Sequence, residues 1–320
     1  MRIVVTGAAG FIGSNLCRTL LESGENGSQR AHSVAGIDDL SNGTIENLAG
    51  LDVDFTEGTI LDDEALDAAF ARADAVVHLA ALGSVPRSVA DPLASHHANA
   101  TGTLMVLEAA RRHGNLHTIV ASSSSVYGAN PTLPKQEDLA TRPLSPYGGS
   151  KLATEGYTLA WASSYDLPVL AFRFFNVFGP GQPAGHVYAA VIPKFVDAAL
   201  RGEAVNVHGD GEQSRDFTYV ETVTRTIADA ITRKVTSDGP VNLAYGNRIS
   251  LLETLELLEA RLGGPIARDH SSPRAGDVRH SQADNTRLLE LFPDIEPVDF
   301  GEGLTRTIDW MRTLHERTAP

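Results

Sequence analysis

A glycine-rich turn between a strand and a helix restricts the fold of this chain more than any other feature. Residues 3–5 form an unbroken β-branched run, which is typical of a strand buried on both faces. Glycines at every third position follow, at Gly7, Gly10 and Gly13, and a helical pattern comes after them. In this context glycines let backbone N–H groups and a helix N-terminus approach a pyrophosphate. The pattern therefore predicts the first unit of a dinucleotide-binding sheet, in preference to a purely structural turn.

The second predicted strand, residues 34–37, ends at Asp38. A carboxylate at this point can accept hydrogen bonds from both ribose hydroxyls of NAD, and it repels a 2′-phosphate. Because no arginine follows it immediately, NAD is favoured over NADP. The gap from Gly13 to Asp38 exceeds the usual spacing of about 20 residues, and we attribute the excess to a polar surface loop at residues 25–29. The alternative is that Asp38 merely ends the strand.

Strands and helices continue to alternate along the chain. This order predicts an α/β fold with a Rossmann-type, doubly wound parallel sheet, whose ligands bind at the carboxyl ends of the strands. Further strands are predicted at residues 53–55, 75–81, 118–121 and 169–174, and helices at residues 64–70 and 92–112.

Length and charge narrow the possibilities further. A chain of 320 residues exceeds what one core fills comfortably, so we expect a second lobe. The net charge of −14 argues against nucleic acid and anionic membranes as partners. If the ligand is anionic, helix N-termini and a few arginines at the site must then bind it.

Other residue types point to an ordinary intracellular protein. The single cysteine, Cys17, lies in a helical pattern and excludes an intramolecular disulfide. We find no metal-ligand spacing and interpret His96 and His97 as solvated helix positions. Met1 leads straight into the first strand, and we expect neither a signal peptide nor a membrane span, so a cytoplasmic location is predicted.

A second informative stretch carries a tyrosine and a lysine on one helical face. Ser145 can cap a helix and Pro146 fits its first turn, which places Tyr147 and Lys151 one above the other. A neighbouring ammonium favours the phenolate form of a tyrosine whose free pKa is ~10. Lowering that pKa by about three units needs ~4 kcal/mol, so a second cation or a dry pocket should help. The alternative is a surface pair that is four apart by chance.

Two glycines follow the tyrosine. Gly148 and Gly149 occupy the first turn of the predicted helix, where each costs ~1 kcal/mol. Such a cost predicts that another group approaches the backbone there.

A run of serines, residues 122–125, lies at the carboxyl end of the fifth predicted strand. A hydroxyl at this edge can share a proton with a substrate oxygen that Tyr147 also contacts. The alternative is that the four serines only form a turn.

Together these motifs resemble the extended short-chain dehydrogenase/reductase family, in particular the nucleotide-sugar epimerases and dehydratases. The resemblance covers nearly the whole chain and also rests on residues 78–81, 174–180, 209–217 and 273–278. It implies NAD as cofactor and a catalytic triad of Ser123, Tyr147 and Lys151. The cofactor-binding residues that it implies are Gly7, Gly10, Phe11, Ile12, Gly13, Asp38, Asn42, Gly43, Thr59, Ile60, Leu79, Ala80, Ala81, Asn99, Tyr147, Lys151 and Phe174.

Within this family, residues 81–88, 188–194 and 276–281 look like those of the UDP-N-acetylglucosamine 4-epimerases. The resemblance implies inversion at C4 of a UDP-hexose, acetamido or neutral, through a transient 4-keto sugar. In the family a large aromatic residue at the position of Ser281 excludes an N-acetyl group, and serine leaves that space open. The substrate-binding residues that the resemblance implies are Gly83, Ser84, Ser123, Ser124, Asn176, Gln182, Val191, Arg215, Arg274, Asp277 and Ser281.

The chain departs from the family pattern at two positions. Thr59 stands where many relatives have an aspartate that contacts the adenine amino group, although Ile60 can still pack on the ring. Gly83 stands where some UDP-galactose epimerases carry a lysine, which agrees with the acetamido subgroup.

Three other functions are compatible with parts of the pattern. A UDP-glucuronate 4-epimerase would use serines near Ser124 to receive a carboxylate. A 4,6-dehydratase or decarboxylase typically has an acidic residue where Ser124 and Ser125 stand. A cofactor-sensing regulator without catalysis commonly lacks the tyrosine or the lysine, and both are present here.

The resemblance also implies a domain division and a homodimer. The NAD-binding lobe should comprise residues 1–174, with residues 220–242 returning to it. The nucleotide-sugar lobe should take residues 175–219 and 243–320. Helices 92–112 and 146–164 should pack against those of a second copy as a four-helix bundle.

Overall fold

The computed structural model describes residues 1–22, 32–185, 189–272 and 278–318. The surface loop predicted at residues 25–29 lies outside these ranges. The core of the fold is a seven-stranded parallel sheet in the order β10-β6-β5-β4-β1-β2-β3. Its strands are β1 (Arg2–Thr6), β2 (Ser33–Asp38), β3 (Val53–Glu57), β4 (Ala75–His78), β5 (His117–Ser123), β6 (Val169–Phe174) and β10 (Val241–Leu243). The predicted Rossmann-type parallel sheet is confirmed.

One predicted strand is shorter than its apolar run. β4 ends at His78 because the neighbouring strand β1 ends at Thr6. The backbone N–H of Leu79 still donates to Thr6 O, and that of Ala80 donates to Thr6 Oγ1 at 3.2 Å. The chain therefore turns over the end of β1 instead of extending β4. In contrast, β5 runs two residues beyond its prediction, to Ser123.

Helices cover both faces of this sheet. They are α1 (Phe11–Glu22), α2 (Asp63–Phe70), α3 (Val85–Ala90), α4 (Pro92–His96), α5 (Gly102–Arg112), α6 (Pro146–Tyr165) and α8 (Val220–Arg233). The helix predicted at residues 92–112 is interrupted by a π-helical turn, His97–Thr101. Such wide turns often mark functional sites, and this one carries the buried side chain of Asn99. His96 and His97 are exposed, as predicted.

A smaller lobe packs over the carboxyl edge of the large sheet. It contains a three-stranded sheet of β7 (Asn176–Phe178), β9 (Ser214–Tyr219) and β11 (Arg248–Ser250), and a pair formed by β8 (Val205–His208) and β12 (Arg268–Ser271). Its helices are α7 (Val191–Leu200), α9 (Leu251–Leu262) and α11 (Phe300–Thr318), whereas α10 (Thr286–Leu291) packs against β10 at the edge of the large sheet. An aromatic cluster of Phe178, Phe217, Tyr219 and Phe300 forms much of its separate core.

Two general expectations can be compared with this fold. Cys17 is a free, buried thiol in α1, and burial raises its pKa to about 12. Among the described residues, none of the helices is both long enough and apolar enough to span a bilayer.

A buried ion pair joins α6 to the central sheet. Arg173 in β6 donates from Nε and Nη2 to the two carboxylate oxygens of Glu155, at 2.9 and 2.6 Å, and both side chains are almost fully buried. Its guanidinium also lies over the ring of Tyr127, 4.7 Å from the centroid. Ser122 donates to the same carboxylate at 2.9 Å. Because a buried charge needs its partner, this cluster fixes the end of β5 relative to α6.

We expect Arg173→Met to lower the free energy of unfolding by about 3–5 kcal/mol, because it leaves the Glu155 carboxylate buried without its partner. The matched control is Arg312→Met, which removes an exposed partner of Asp309 on α11 and should change stability by less than about 0.5 kcal/mol. Guanidinium denaturation followed by circular dichroism measures both. Equal losses in the two variants would contradict the assigned role of the buried pair.

Candidate active site

A cleft of about 1100 Å³ lies between the large sheet and the smaller lobe. One wall is built from the glycine turn, the chain after β4, the end of β5 and the first turns of α6. The other wall comes from β7, α7, β8 and β9. The cleft therefore lies at the carboxyl edge of the parallel strands, where α/β folds bind their ligands.

The glycine turn is packed so tightly that side chains do not fit. Gly7 has φ +73°, and a Cβ there would lie 2.7 Å from Ala80 N. A Cβ on Gly13 would lie 2.0 Å from Gly7 O. Since these glycines, Phe11 and Ile12 all line the cleft, the first backbone N–H groups of α1 face a ligand site. This arrangement fits the pyrophosphate of a dinucleotide.

Asp38 lies beside this turn at the end of β2 and is 7% exposed. Its carboxylate accepts hydrogen bonds from Ala9 N at 3.0 Å and from Leu40 N at 2.8 Å. Burial is the largest influence on its pKa, which is raised. Each carboxylate oxygen can accept a further hydrogen bond, so the position suits a ribose hydroxyl.

Ser123, Tyr147 and Lys151 come together on one wall of the cleft. Ser123 ends β5, Tyr147 lies in the first turn of α6, and the Ser123 side chain is near enough to the Tyr147 hydroxyl to lower its pKa. Lys151 stands one turn further and its Nζ donates to Ala121 O at 2.8 Å. The helix itself begins as predicted, with Ser145 Oγ accepting from Gly148 N at 3.1 Å.

The pKa of Tyr147 contradicts the expectation that a dry pocket would favour its phenolate form. Burial raises the pKa of Tyr147, with only the nearby Ser123 side chain acting in the opposite direction. A dry pocket therefore disfavours the phenolate, contrary to the prediction. Burial also lowers the pKa of Lys151 to about 8. Because desolvation penalises the charged form of either group, a further positive charge is needed to generate the phenolate.

Tyr147 is held in place by Ser88 and Ser150, which were not predicted, and through Ser150 by Asn99, which was predicted to belong to the cofactor pocket. The backbone N–H of Tyr147 donates to Ser88 Oγ at 3.0 Å, and its carbonyl accepts from Ser150 Oγ at 2.8 Å. Asn99 donates to Ser150 Oγ at 2.9 Å and also binds both backbone polar groups of Leu82. Asn99 is thus a positioning residue behind the wall, not part of its lining. Only the Ser-x-x-x-Ser spacing in residues 84–88 hinted at a polar role for Ser88.

A neutral histidine links the same region to the glycine turn. His78 contacts Thr6 Oγ1 at 2.8 Å through Nδ1 and Thr103 Oγ1 at 3.0 Å through Nε2. It is fully buried, and burial lowers its pKa to about 3. Thr103 in turn contacts Thr154 of α6 at 3.1 Å. This buried chain joins β1, β4, α5 and α6 without a charge.

The opposite wall carries most of the predicted substrate residues, namely Asn176, Gln182, Val191 and Arg215. Asn176 Nδ2 donates to Asp216 O at 3.1 Å, and Gln182 Nε2 donates to Val177 O at 3.1 Å. Gln182 Oε1 is buried without a hydrogen-bond partner in the described structure. A buried acceptor of this kind favours a ligand that donates to it. Gly83, Ser84, Asn42, Leu79, Ala81 and Phe174 also line the cleft.

Other predicted contact residues lie behind the lining. Thr59 Oγ1 accepts from Leu61 N at 3.3 Å, and Ile60 packs against Gly102 and is 7% exposed. Gly43 lies against the backbone of Ala9, where a Cβ would approach to 2.5 Å.

The remaining described residues that were predicted to contact a ligand do not line the cleft either. Ala80 abuts Gly7, and Ser124 lies in the short turn after β5. Ser281 donates from its backbone N–H to Ser214 O beside β9. Arg274 and Asp277 lie outside the described residues.

The cleft is positively charged although the chain is acidic. Its described lining contains Arg87, Lys151, Lys194 and Arg215 but no aspartate or glutamate. The net charge of the whole chain is −14. Focusing of positive potential in such a cleft attracts anionic ligands.

Comparisons with known proteins agree with this geometry. A family model described as the NAD dependent epimerase/dehydratase family matches residues 3–244. A UDP-glucose 4-epimerase of Mycolicibacterium smegmatis is 37% identical, with 98% of this chain and 99% of that protein covered.

Two solved structures share the architecture. A UDP-N-acetylglucosamine 4-epimerase from Methanobrevibacter ruminantium superimposes with a TM-score of 0.90, 36% identity and 98% coverage of both chains. A UDP-glucuronic acid 4-epimerase from Bacillus cereus, solved with UDP-glucuronic acid and NAD, gives a TM-score of 0.88, 30% identity and coverage of 98% and 100%.

The two glycines after Tyr147 give a matched pair of variants. A Cβ on Gly148 would lie 2.8 Å from Ser125 O, whereas one on Gly149 would meet no atom within 4 Å. The close approach expected here is therefore real at Gly148 only. We expect Gly148→Ala to lower the melting temperature, and Gly149→Ala to stabilise by about 0.5–1 kcal/mol through its higher helix propensity. Thermal unfolding checks this, and a stabilising Gly148→Ala would contradict the packing.

Proposed function

Because the chain belongs to the NAD dependent epimerase/dehydratase family, we propose that it inverts C4 of a UDP-hexose with NAD as its cofactor. The substrate pairs are UDP-N-acetylglucosamine with UDP-N-acetylgalactosamine, or UDP-glucose with UDP-galactose. The observation that carries the proposal is the placement of Ser123, Tyr147 and Lys151 on the same wall as the glycine turn. The cleft therefore contains both the candidate dinucleotide site and the hydroxyl of Ser123, the phenol of Tyr147 and the ammonium of Lys151.

The residues of the cleft fit NAD. The side-chain-free turn exposes the N-terminus of α1 to the pyrophosphate, and Asp38 is placed for the adenosine ribose. When bound, NAD accepts the C4 hydride, returns it to the opposite face of the sugar, and adds a positive nicotinamide ring beside the phenol. That ring provides the further charge that the burial of Tyr147 requires.

Tyr147 is the proton acceptor in this proposal. It removes the proton of the C4 hydroxyl and returns it after the sugar has turned over. Ser123 donates a hydrogen bond to the oxygen that becomes the carbonyl. Lys151, whose pKa is about 8, is largely charged at neutral pH and stabilises the phenolate.

Turnover of the sugar requires that the nucleotide stays bound while the sugar ring is free. We propose that Asn176 and Arg215 hold the nucleotide and pyrophosphate, together with Arg274 and Asp277, and that Gln182 and Ser84 contact the sugar. In support, the buried Gln182 Oε1 still has acceptor capacity. Gly83 adds no side chain to the sugar end of the cleft.

The composition of the cleft favours epimerisation over elimination. Loss of the 6-hydroxyl needs a general acid, and the described lining contains no carboxylic acid. Ser124 and Ser125 occupy the expected positions of that acid. A non-catalytic regulator is disfavoured because Tyr147 and Lys151 are both present in the cleft.

UDP-glucuronate is the second candidate substrate, supported by the Bacillus cereus relative. The positive lining is compatible with a uronate carboxylate. However, of the serines near Ser124 that were predicted to receive that carboxylate, only Ser122 and Ser123 line the cleft, and Ser124 and Ser125 do not. We therefore place the neutral and acetamido hexoses first.

The deciding experiment is incubation with UDP-glucose, UDP-N-acetylglucosamine and UDP-glucuronate, followed by chromatography for the 4-inverted product of each. We expect inversion of at least one of the first two. Tyr147→Phe should lower kcat by about 10²–10⁴-fold, because the proton acceptor is lost, while UDP-sugar binding by calorimetry remains. Full activity in that variant, or a deoxy or unsaturated product in the mass spectrum, would refute the mechanism.

We also propose that the two lobes divide the work. Residues 1–174 and 220–242 bind NAD, and residues 175–219 and 243–320 bind the nucleotide-sugar. In support, β10 pairs with β6 in the large sheet and α8 packs against α1. A cytoplasmic location is proposed because that compartment supplies both NAD and nucleotide-sugars.

We propose a homodimer formed by the helices at residues 92–112 and 146–164. Leu93 is 69% exposed, and Tyr157 and Tyr165 flank Trp161 in an exposed aromatic row on α6. Sedimentation should give a dimer at micromolar concentration, and Tyr157→Glu should shift it to monomer by placing a charge in the apolar interface. Leu289→Glu, at an equally exposed leucine on α10, is the matched control and should stay dimeric. A monomeric wild-type protein would overturn the proposal.

A further inference from the structure

A hydrogen bond spans the mouth of the cofactor side of the cleft. Arg87 in α3 donates from Nη1 to Asn42 Oδ1 at 2.5 Å. Asn42 belongs to the loop after β2, and α3 follows β4. Because β1 lies between β2 and β4 in the sheet, this bond crosses over the carboxyl end of β1. The glycine turn lies directly at that end.

The loop that carries Asn42 is fixed to the glycine turn. Thr44 N donates to Ala9 O at 3.2 Å, and Asn47 Nδ2 donates to the same carbonyl at 2.8 Å. Gly43 lies so close to Ala9 that a Cβ would approach to 2.5 Å. Asn42, whose Oδ1 accepts the hydrogen bond from Arg87, is therefore held in a fixed position beside the glycine turn.

The helix that carries Arg87 is fixed at both ends. Ser84 caps it by accepting from Arg87 N at 3.3 Å. Ser88, which is fully buried, accepts from the backbone N–H of Tyr147 at 3.0 Å. The guanidinium thus extends from a short helix that is tied to the active site on its inner side.

Arg87 brings a positive charge to a part of the cleft lining that contains few other cations. Among the described cations of the lining, Arg215 and Lys194 lie on β9 and α7 of the smaller lobe. Lys151 lies on α6 and donates inward to Ala121 O. Arg87 is the described cation on the cofactor side. A pyrophosphate at the N-terminus of α1 carries two negative charges and is stabilised by a guanidinium nearby.

We propose that Arg87, held by Asn42, is a cofactor-retaining residue. Its guanidinium offsets the charge of the NAD pyrophosphate above the glycine turn. Its hydrogen bond to Asn42 joins the two segments that follow β2 and β4 on either side of the glycine turn, and it must open before the dinucleotide leaves. This inference concerns the retention of NAD and does not depend on which sugar is epimerised.

The experiment measures bound NAD directly. Wild type, Arg87→Met, Arg87→Lys and Asn42→Ala are purified with NAD and passed through gel filtration. NAD per subunit is then measured after acid release, and its dissociation rate after dilution into a nucleotide trap. Arg312→Met, which removes an equally positive side chain from α11, is the matched control. Circular dichroism melting verifies that each variant is folded.

Loss of a charge-assisted hydrogen bond should make NAD dissociate from Arg87→Met at least about tenfold faster than from wild type. The dissociation rate of the wild type should rise with salt, and Arg87→Met should show a weaker salt dependence. Arg87→Lys keeps the charge and should recover part of the retention. Asn42→Ala removes the bridge alone and should release NAD faster than Arg312→Met.

An unchanged dissociation rate in Arg87→Met and Asn42→Ala, relative to wild type and Arg312→Met, would overturn the inference. If Arg87→Met does not fold, Arg87→Lys and Asn42→Ala still decide it. The NAD measurements are separate from turnover. A failure of every UDP-sugar to react would therefore refute the proposed function while leaving this inference standing.

Discussion

The close contact between Gly13 and Gly7 is the constraint on which the rest of the molecule depends. A Cβ on Gly13 would lie 2.0 Å from Gly7 O, so only glycine lets α1 start directly above the end of β1. The same contact brings Gly7 against Ala80 and fixes the chain after β4. Since the N-terminus of α1 then lies at the carboxyl edge of the sheet, its backbone N–H groups form an anion site, and Arg87 of the cleft lining adds a positive charge to it. An acidic chain can bind a dinucleotide in this way.

The order of the strands along the carboxyl edge of the sheet determines where Ser123, Tyr147 and Lys151 lie relative to the glycine turn. Only β4 separates β5 from β1, so Ser123 at the end of β5 lies two strand positions from the glycine turn. Tyr147 and Lys151 reach the same edge because α6 packs on β5 and the Glu155–Arg173 pair fixes its height. This proximity has an energetic cost, since burial disfavours both the phenolate and the ammonium. The site is therefore poised to depend on the charge of a bound cofactor.

Local patterns in the sequence predicted the strands, the glycine turn and the pairing of Tyr147 with Lys151, because each is encoded within a few residues, whereas only the family resemblance distinguished Ser123 from the other serines. The features that were missed depend on distant contacts. The π-helical turn at residues 97–101 accompanies the bonds of Asn99 to Leu82 and Ser150, which no periodicity shows. Whether the surroundings of Tyr147 raise or lower its pKa could be decided only from the structure, which shows that burial raises it. The family motifs implied contact roles for Ile60 and Ser281, but a motif does not state which way a side chain faces, and neither residue belongs to the cleft lining.

The helix α3 shows how the fold joins these separate parts. Ser84 begins it at φ +93°, a backbone conformation that costs a non-glycine residue about 1–3 kcal/mol. That strain is retained because three successive polar residues of the helix face three different parts of the site. Ser84 lines the sugar end of the cleft, Arg87 reaches Asn42 across the cofactor side, and Ser88 holds the backbone of Tyr147. This short segment therefore contributes to the cleft lining and contacts both the loop after β2 and the backbone of Tyr147.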